Sequence, residues 1–237
     1  MIYKLERWAW WGGAALAMIA GIVNAVGLRS YAHQAVTHVT GTTSLFALAL
    51  AHGDGAASLN LGLVLASFFV GALVSGFIVQ SDALKLGRRY GVALLVESIL
   101  LFTASVLMGS DVPVGSYFAS AACGLQNAMA STYSGAVLRT THLSGMFTDC
   151  GAAFGHLLRG APVAWIRIRL YALLIGAFTV GGIAGSLLFD VYGPATLFIP
   201  AGLTGVVAVS YMVYAHARRL QEGETLGSAG VTRPGRH

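Results

Sequence analysis

Residues 37–44 read T-H-V-T-G-T-T-S and residues 141–148 read T-H-L-S-G-M-F-T. At an offset of 104 residues, Thr37 falls on Thr141, His38 on His142, Thr40 on Ser144, Gly41 on Gly145 and Ser44 on Thr148. Downstream at the same offset, His52 in A-L-A-H falls on His156 in A-F-G-H. Upstream the offset is 103, and Gly21, Asn24 and Ala25 of G-I-V-N-A fall on Gly124, Asn127 and Ala128 of G-L-Q-N-A. Farther along, V-G-A-L-V-S-G (70–76) echoes V-G-G-I-A-G-S (180–186), and Tyr90-Gly91 echoes Tyr192-Gly193. The chain is therefore read as two related halves before anything else.

The solvent of those halves follows from composition. Of 237 residues, 56% are hydrophobic and only 10% are charged, against about 25% charged in soluble domains. With a mean hydropathy of +0.73, the apolar stretches exceed what one soluble core of this size could hide, so lipid must cover them. The net charge of +5 does not imply a nucleic-acid partner, because Lys and Arg orient membrane spans. Cys123 and Cys150 both lie in apolar sequence, with no C-x-x-C motif, and neither a disulfide nor a metal cluster is expected.

In chain order, Lys4 and Arg7 precede Trp8, Trp10 and Trp11, an interfacial aromatic belt. A long span is predicted over about residues 8–28, then a polar stretch over 29–40, then an apolar run over 41–52 that as a helix covers about 18 Å. Such a run crosses about half of the hydrocarbon core. Long spans follow over about 59–80 and 90–109. The second half repeats the order, with a long span over 114–133, a short helix over 145–157, and long spans over 168–189 and 195–215. The first repeat is placed at 1–110, the second at 111–220, and a disordered cytoplasmic tail at 221–237.

Charge decides whether the short segments cross. If they do, Lys85, Arg88 and Arg89 fall outside, against the positive-inside rule. If each enters and leaves on one side, Lys4/Arg7, Lys85/Arg88/Arg89, Arg139, Arg159/Arg167/Arg169 and Arg218/Arg219 all fall inside. The loops of Asp54, Asp111 and Asp190 then fall outside, and Arg29 alone is misplaced. The expectation is an all-α membrane protein with six transmembrane helices and two re-entrant half-helices, both termini cytoplasmic. Three spans per half make the repeat inverted, an arrangement widely used by transporters.

Non-helical backbone at membrane depth must be buried in protein or line a watery cavity, so the half-helices should meet near the midplane. Thr40 and Ser144 precede a glycine and an apolar run, where N-caps belong. Two helix N-termini there would present free N–H groups and a positive dipole end to an anion or polar solute. The candidate pathway comprises Asn24, Thr37, His38, Thr40, Gly41 and Thr42 with Asn127, Thr141, His142, Ser144, Gly145 and Asp149. His38 and His142 read either as packing residues or as a proton-responsive filter, since unperturbed His titrates near neutral pH.

His52 and His156 are too far along their helices to share one ion with the first pair, and belong at opposite surfaces. Asp149, aligned with Leu45, sits one turn into the second half-helix. It either exchanges a proton or holds the loop through backbone N–H groups. Glu97 is an acidic residue deep in apolar sequence, functional by default, with pairing to a nearby Arg as the structural alternative. G-x-x-x-G at Gly151–Gly155 and Gly181–Gly185 reads as helix packing.

G-I-V-N-A with T-H-V-T-G, then G-L-Q-N-A with R-T-T-H-L-S-G and T-D, resembles the YoaK family of bacterial six-span proteins over roughly residues 10–215. That family is a domain-of-unknown-function group that often carries Asp where Asn24 stands and T-G-N where Thr40-Gly41-Thr42 stands. The resemblance implies the six-span fold and a bacterial inner-membrane location, and no substrate. The residues themselves point to a transporter or channel for a small solute, an anion in preference, with no cofactor. No nucleophile–base constellation marks an enzyme. Beside it stand a His-dependent metal- or haem-binding redox protein and a structural or regulatory membrane component. The expected partners are the lipid bilayer and the solute, with a homodimer open.

Overall fold

The computed structural model describes residues 7–30, 35–79, 88–110, 112–134 and 139–229, with side chains described for all of these but Arg7, Arg88 and residues 214–229. The basic residues Lys4 and Lys85, Asp111 and residues 230–237 lie outside the described residues. The first half forms α1 (Arg7–Arg29), α2 (Val39–Ala51), α3 (Gly55–Ile78) and α4 (Arg88–Gly109). The second forms α5 (Val114–Ser134), α6 (Leu143–Leu158), α7 (Trp165–Tyr192), a 3-10 turn (Gly193–Leu197) and α8 (Phe198–Ala229). Each half thus runs long, short, long, long.

Two boundaries depart from expectation for local reasons. α3 starts earlier than predicted because Asp54 caps it, its side chain accepting from Ala57 N at 2.9 Å. α8 runs to Ala229, so residues 221–229, expected as part of a disordered tail, are helical. Extending an existing helix needs no new nucleus, and no proline intervenes before Pro234.

The long helices are built inside out relative to a soluble bundle. α3 buries Ser58, Leu61, Val64, Gly71 and Ser75 and exposes Leu59, Phe69, Leu73 and Phe77, the last 86% exposed. α7 likewise buries Gly181 and Gly185 and exposes Val180, Ile183 and Leu187. In lipid no hydrophobic force draws large side chains inward, so small residues take the interfaces. Among the described residues, four helical stretches are long and apolar enough to cross a membrane: Trp8–Arg29, Gly55–Ile78, Arg89–Gly109, and Trp165–Val213, which contains α7, the turn and the start of α8. α5 falls short of that measure because it is the buried centre of the bundle, carrying Ser116, Ser120 and Gln126 inward.

The two halves exchange partners. α1 packs mainly on α7, and α3 on α5. At the first crossing, a Cβ on Gly21 would overlap the Phe178 carbonyl, and one on Gly181 the Met18 carbonyl. At the second, Gly124 faces the Phe68 carbonyl and Gly71 that of Ala121 in the same way. Gly21 and Met18 lie 103 residues before Gly124 and Ala121, and Phe68 and Gly71 lie 110 before Phe178 and Gly181. The sequence repeat is thus also a repeat in packing, glycine for glycine. Among the G-x-x-x-G pairs, Gly181–Gly185 meets α1 as expected, whereas Gly151 and Gly155 meet nothing.

Helix directions follow from which residues touch. α1 and α7 are parallel, since Met18, Ile22 and Arg29 meet Gly181, Gly185 and Asp190 in turn. α3 and α5 are also parallel, as Asn60, Val64 and Phe68 meet Tyr117, Ser120 and Gly124. α4 and α8 are antiparallel, because Gly91 faces Ala208, Ser98 faces Ala201, and Phe102 stacks on Phe198.

Candidate functional site

α2 begins directly after His38 and α6 directly after His142, and these residues, not Thr40 and Ser144, are the N-caps. Their backbones match, at φ −95°, ψ 66° and φ −94°, ψ 56°. Thr40 and Ser144 instead sit in the first turn, exposed, and their carbonyls accept the hydroxyls of Ser44 at 3.1 Å and Thr148 at 2.9 Å. Neither His caps with its ring, which folds back over the glycine three residues on. A Cβ at Gly41 or Gly145 would stand 2.6 Å from Nδ1 of His38 or His142. The first-turn N–H groups therefore have no side-chain acceptor at either N-cap, and an exposed imidazole stands beside each set.

The first loop is pinned between α1 and α5. Thr37 N donates to Asn24 Oδ1 at 3.3 Å, and Ser120 Oγ donates to Val36 O at 3.4 Å. Thr42 Oγ1, buried, donates to Ala35 O at 3.2 Å and His38 O at 3.0 Å. Asn24 precedes the end of α1 by five residues and Ser120 follows the start of α5 by six, which sets this loop about 8–9 Å inside the helix ends.

The second loop is held differently. Thr141 is half-buried, and Thr140 Oγ1 and Asn127 Oδ1 are buried without partners, so the bond equivalent to Thr37–Asn24 is not made. Asp149 is exposed and accepts from Tyr171 Oη at 3.1 Å, so among the described residues its partner is on α7 and not in loop backbone.

Asn24, Thr37, His38, Gly41 and Thr42 are thus brought together with Thr40 at their edge, and His142, Ser144 and Gly145 form the matching group. α2 packs on α3 and α6 on α7, without extensive packing between α2 and α6. His52 is exposed, its Nδ1 2.8 Å from Leu48 O, and His156 is exposed on α6. Among the described residues no three His, Cys, Asp or Glu side chains gather as metal ligands, and both cysteines are free thiols.

Two pairings are absent from the sequence reading. Arg29, the one basic residue that violated the charge pattern, pairs with Asp190 at 2.5 Å, donates to Ser186 Oγ at 3.1 Å, and stacks over Phe189. Glu97 is partnered by Gln126 Nε2 at 2.8 Å and not by an arginine. Arg29 and Asp190 lie 161 residues apart, and only the exchange of partners between halves joins them.

No curated protein and no solved structure matches the chain. A family model does, over residues 12–210, described as "Protein of unknown function (DUF1275)". By that match the chain, itself helical with stretches apolar enough to cross a membrane, belongs to the DUF1275 family of proteins of unknown function.

Proposed function

We propose that the chain is an integral membrane transporter or channel for a small solute, an anion in preference, with six spans and two re-entrant half-helices in an inverted repeat. The observation that carries this reading is the repeated half-helix N-terminus. In both halves an uncapped first turn, an exposed imidazole and a glycine occupy equivalent places. Free N–H groups and the dipole end attract negative charge, and the glycine leaves room for the imidazole beside them.

Helix directions support the topology. With α1 running outward, six spans make α7 outward, α3 and α5 inward, and α4 and α8 opposite; the parallel pairs and the antiparallel α4/α8 pair agree with this. Eight spans would make α4 and α8 parallel. In an inverted repeat the two loops open towards opposite faces. Because α2 and α6 do not pack together, the two N-termini act as a mouth on each side of the midplane, in place of one shared site. The Arg29–Asp190 pair removes the one exception to the charge pattern, since a neutralised arginine has little orienting force.

Ligand binding tests the reading. A screen of small anions against thermal unfolding of the full chain in detergent should find one that stabilises it. Binding at one hundred times Kd is worth about 2.7 kcal/mol. His38→Ala with His142→Ala should reduce that stabilisation, and a stabilisation indifferent to both substitutions contradicts the site.

A further inference from the structure

We propose that Glu97 is an exchangeable proton-binding site at mid-depth of the bundle, closed into a cyclic acid–amide pair with Gln126. The inference goes beyond the half-helix reading, and neither depends on the other. Glu97 is the tenth of 22 residues in α4 and Gln126 the thirteenth of 21 in α5, so both lie within a turn of their helix midpoints. Each is 1% exposed. Gln126 Nε2 donates to Glu97 Oε1 at 2.8 Å, which leaves Glu97 Oε2 and Gln126 Oε1 buried without partners.

Two orphaned acceptors on one hydrogen-bonded pair lack only a donor. Nothing charged supplies one. The elements packed on α4 are α3, α5, the 3-10 turn and α8, and from Gly55 to Val79, Val114 to Ser134 and Gly193 to Val213 they contain no Lys, Arg, His, Asp or Glu. The titratable groups on those stretches are Cys123, Tyr117, Tyr133 and Tyr211, of which Cys123 faces the carboxyl. On α4 itself Arg88, Arg89 and Tyr90 lie two turns away at its start.

A carboxylate buried without a counter-charge costs several kcal/mol, whereas one proton satisfies both oxygens at once. Glu97 Oε2–H then donates to Gln126 Oε1 while Gln126 Nε2–H donates to Glu97 Oε1. A hard metal cation takes about six oxygens, and this pair offers two. The fold does not require the polar pair, since the first repeat places Val23, also 1% exposed, at the position of Gln126.

Infrared spectra of the full chain in bilayers test this without any transported solute. The wild type should show a carboxylic-acid C=O band at neutral pH that falls reversibly in alkaline buffer. Glu97→Gln should lose the band. Gln126→Val should shift its frequency, because the amide hydrogen bond to the carbonyl is gone. If Glu97→Gln does not fold, Glu97→Asp shifts the band and serves instead. Absence of the band at neutral pH, a band untouched by these substitutions, or one that does not respond to pH overturns the proposal.

Discussion

Gly124→Ala is the sharpest perturbation of the packing. The added Cβ would stand 2.8 Å from the Phe68 carbonyl carbon and nearer still to its oxygen. Ordinary contact between carbons is about 3.5–4.0 Å, so α3 and α5 must part by about 1 Å. The obstacle is backbone and cannot swing aside as a flexible side chain would. Parting also stretches Ser120 Oγ to Val64 O (2.9 Å) and Tyr117 Oη to Asn60 Oδ1 (2.6 Å), which bond across the same crossing. Overpacking of this kind costs about 1–3 kcal/mol.

Gly21→Ala at the α1/α7 crossing should cost about the same, because its Cβ would stand 3.0 Å from the Phe178 carbonyl carbon. Gly151→Ala, where a Cβ meets nothing, should be neutral or gain about 0.5–1 kcal/mol from helix preference. Reversible unfolding of the four proteins in mixed micelles, by denaturant titration of circular dichroism, gives the differences. A Gly124→Ala protein as stable as Gly151→Ala would refute the exchanged crossing.

Three further outcomes are expected. Single cysteines at Asp54 and Asp190 should react with an impermeant reagent from outside and those at Arg88 or Arg167 should not; external labelling at Arg88 brings back eight spans. If Asp149 exchanges a proton during transport, Asp149→Asn, which preserves an acceptor for Tyr171, loses proton-driven uptake while keeping exchange; unchanged proton-driven uptake assigns Asp149 to anchoring α6 on α7. A double-mutant cycle of Arg29→Ala and Asp190→Ala should give a coupling of no more than about 1 kcal/mol, as for exposed pairs, since the side chains are 40% and 53% exposed; a coupling of several kcal/mol would make the pair a buried lock.

The repeat was legible because it is written in residue types that only one arrangement needs. Gly21, Gly71, Gly124 and Gly181 recur at fixed offsets, and each touches backbone of the other half. The short helices α2 and α6 were legible as brief apolar runs set between longer ones, and the helix directions accord with the proposed six-span topology. What sequence spacing could not show is partner choice: a helix of one half lying on a helix of the other leaves no local trace, and Arg29–Asp190 depends on it. The N-cap shift from Thr40 to His38 has a different cause. Residue preference at helix starts favours Thr and Ser, but burial of Thr42 and the Thr37–Asn24 bond fix the helix start two residues earlier.

Solute flux through the half-helix mouths is the central claim, and anion efflux from proteoliposomes measures it directly. Vesicles containing the full chain should release nitrate or chloride faster than empty vesicles. Gly41→Leu and Gly145→Leu, each placing a side chain against the imidazole and over the free N–H groups, should each abolish the excess while the protein elutes and unfolds as the wild type does. Undiminished efflux through both variants would contradict the account.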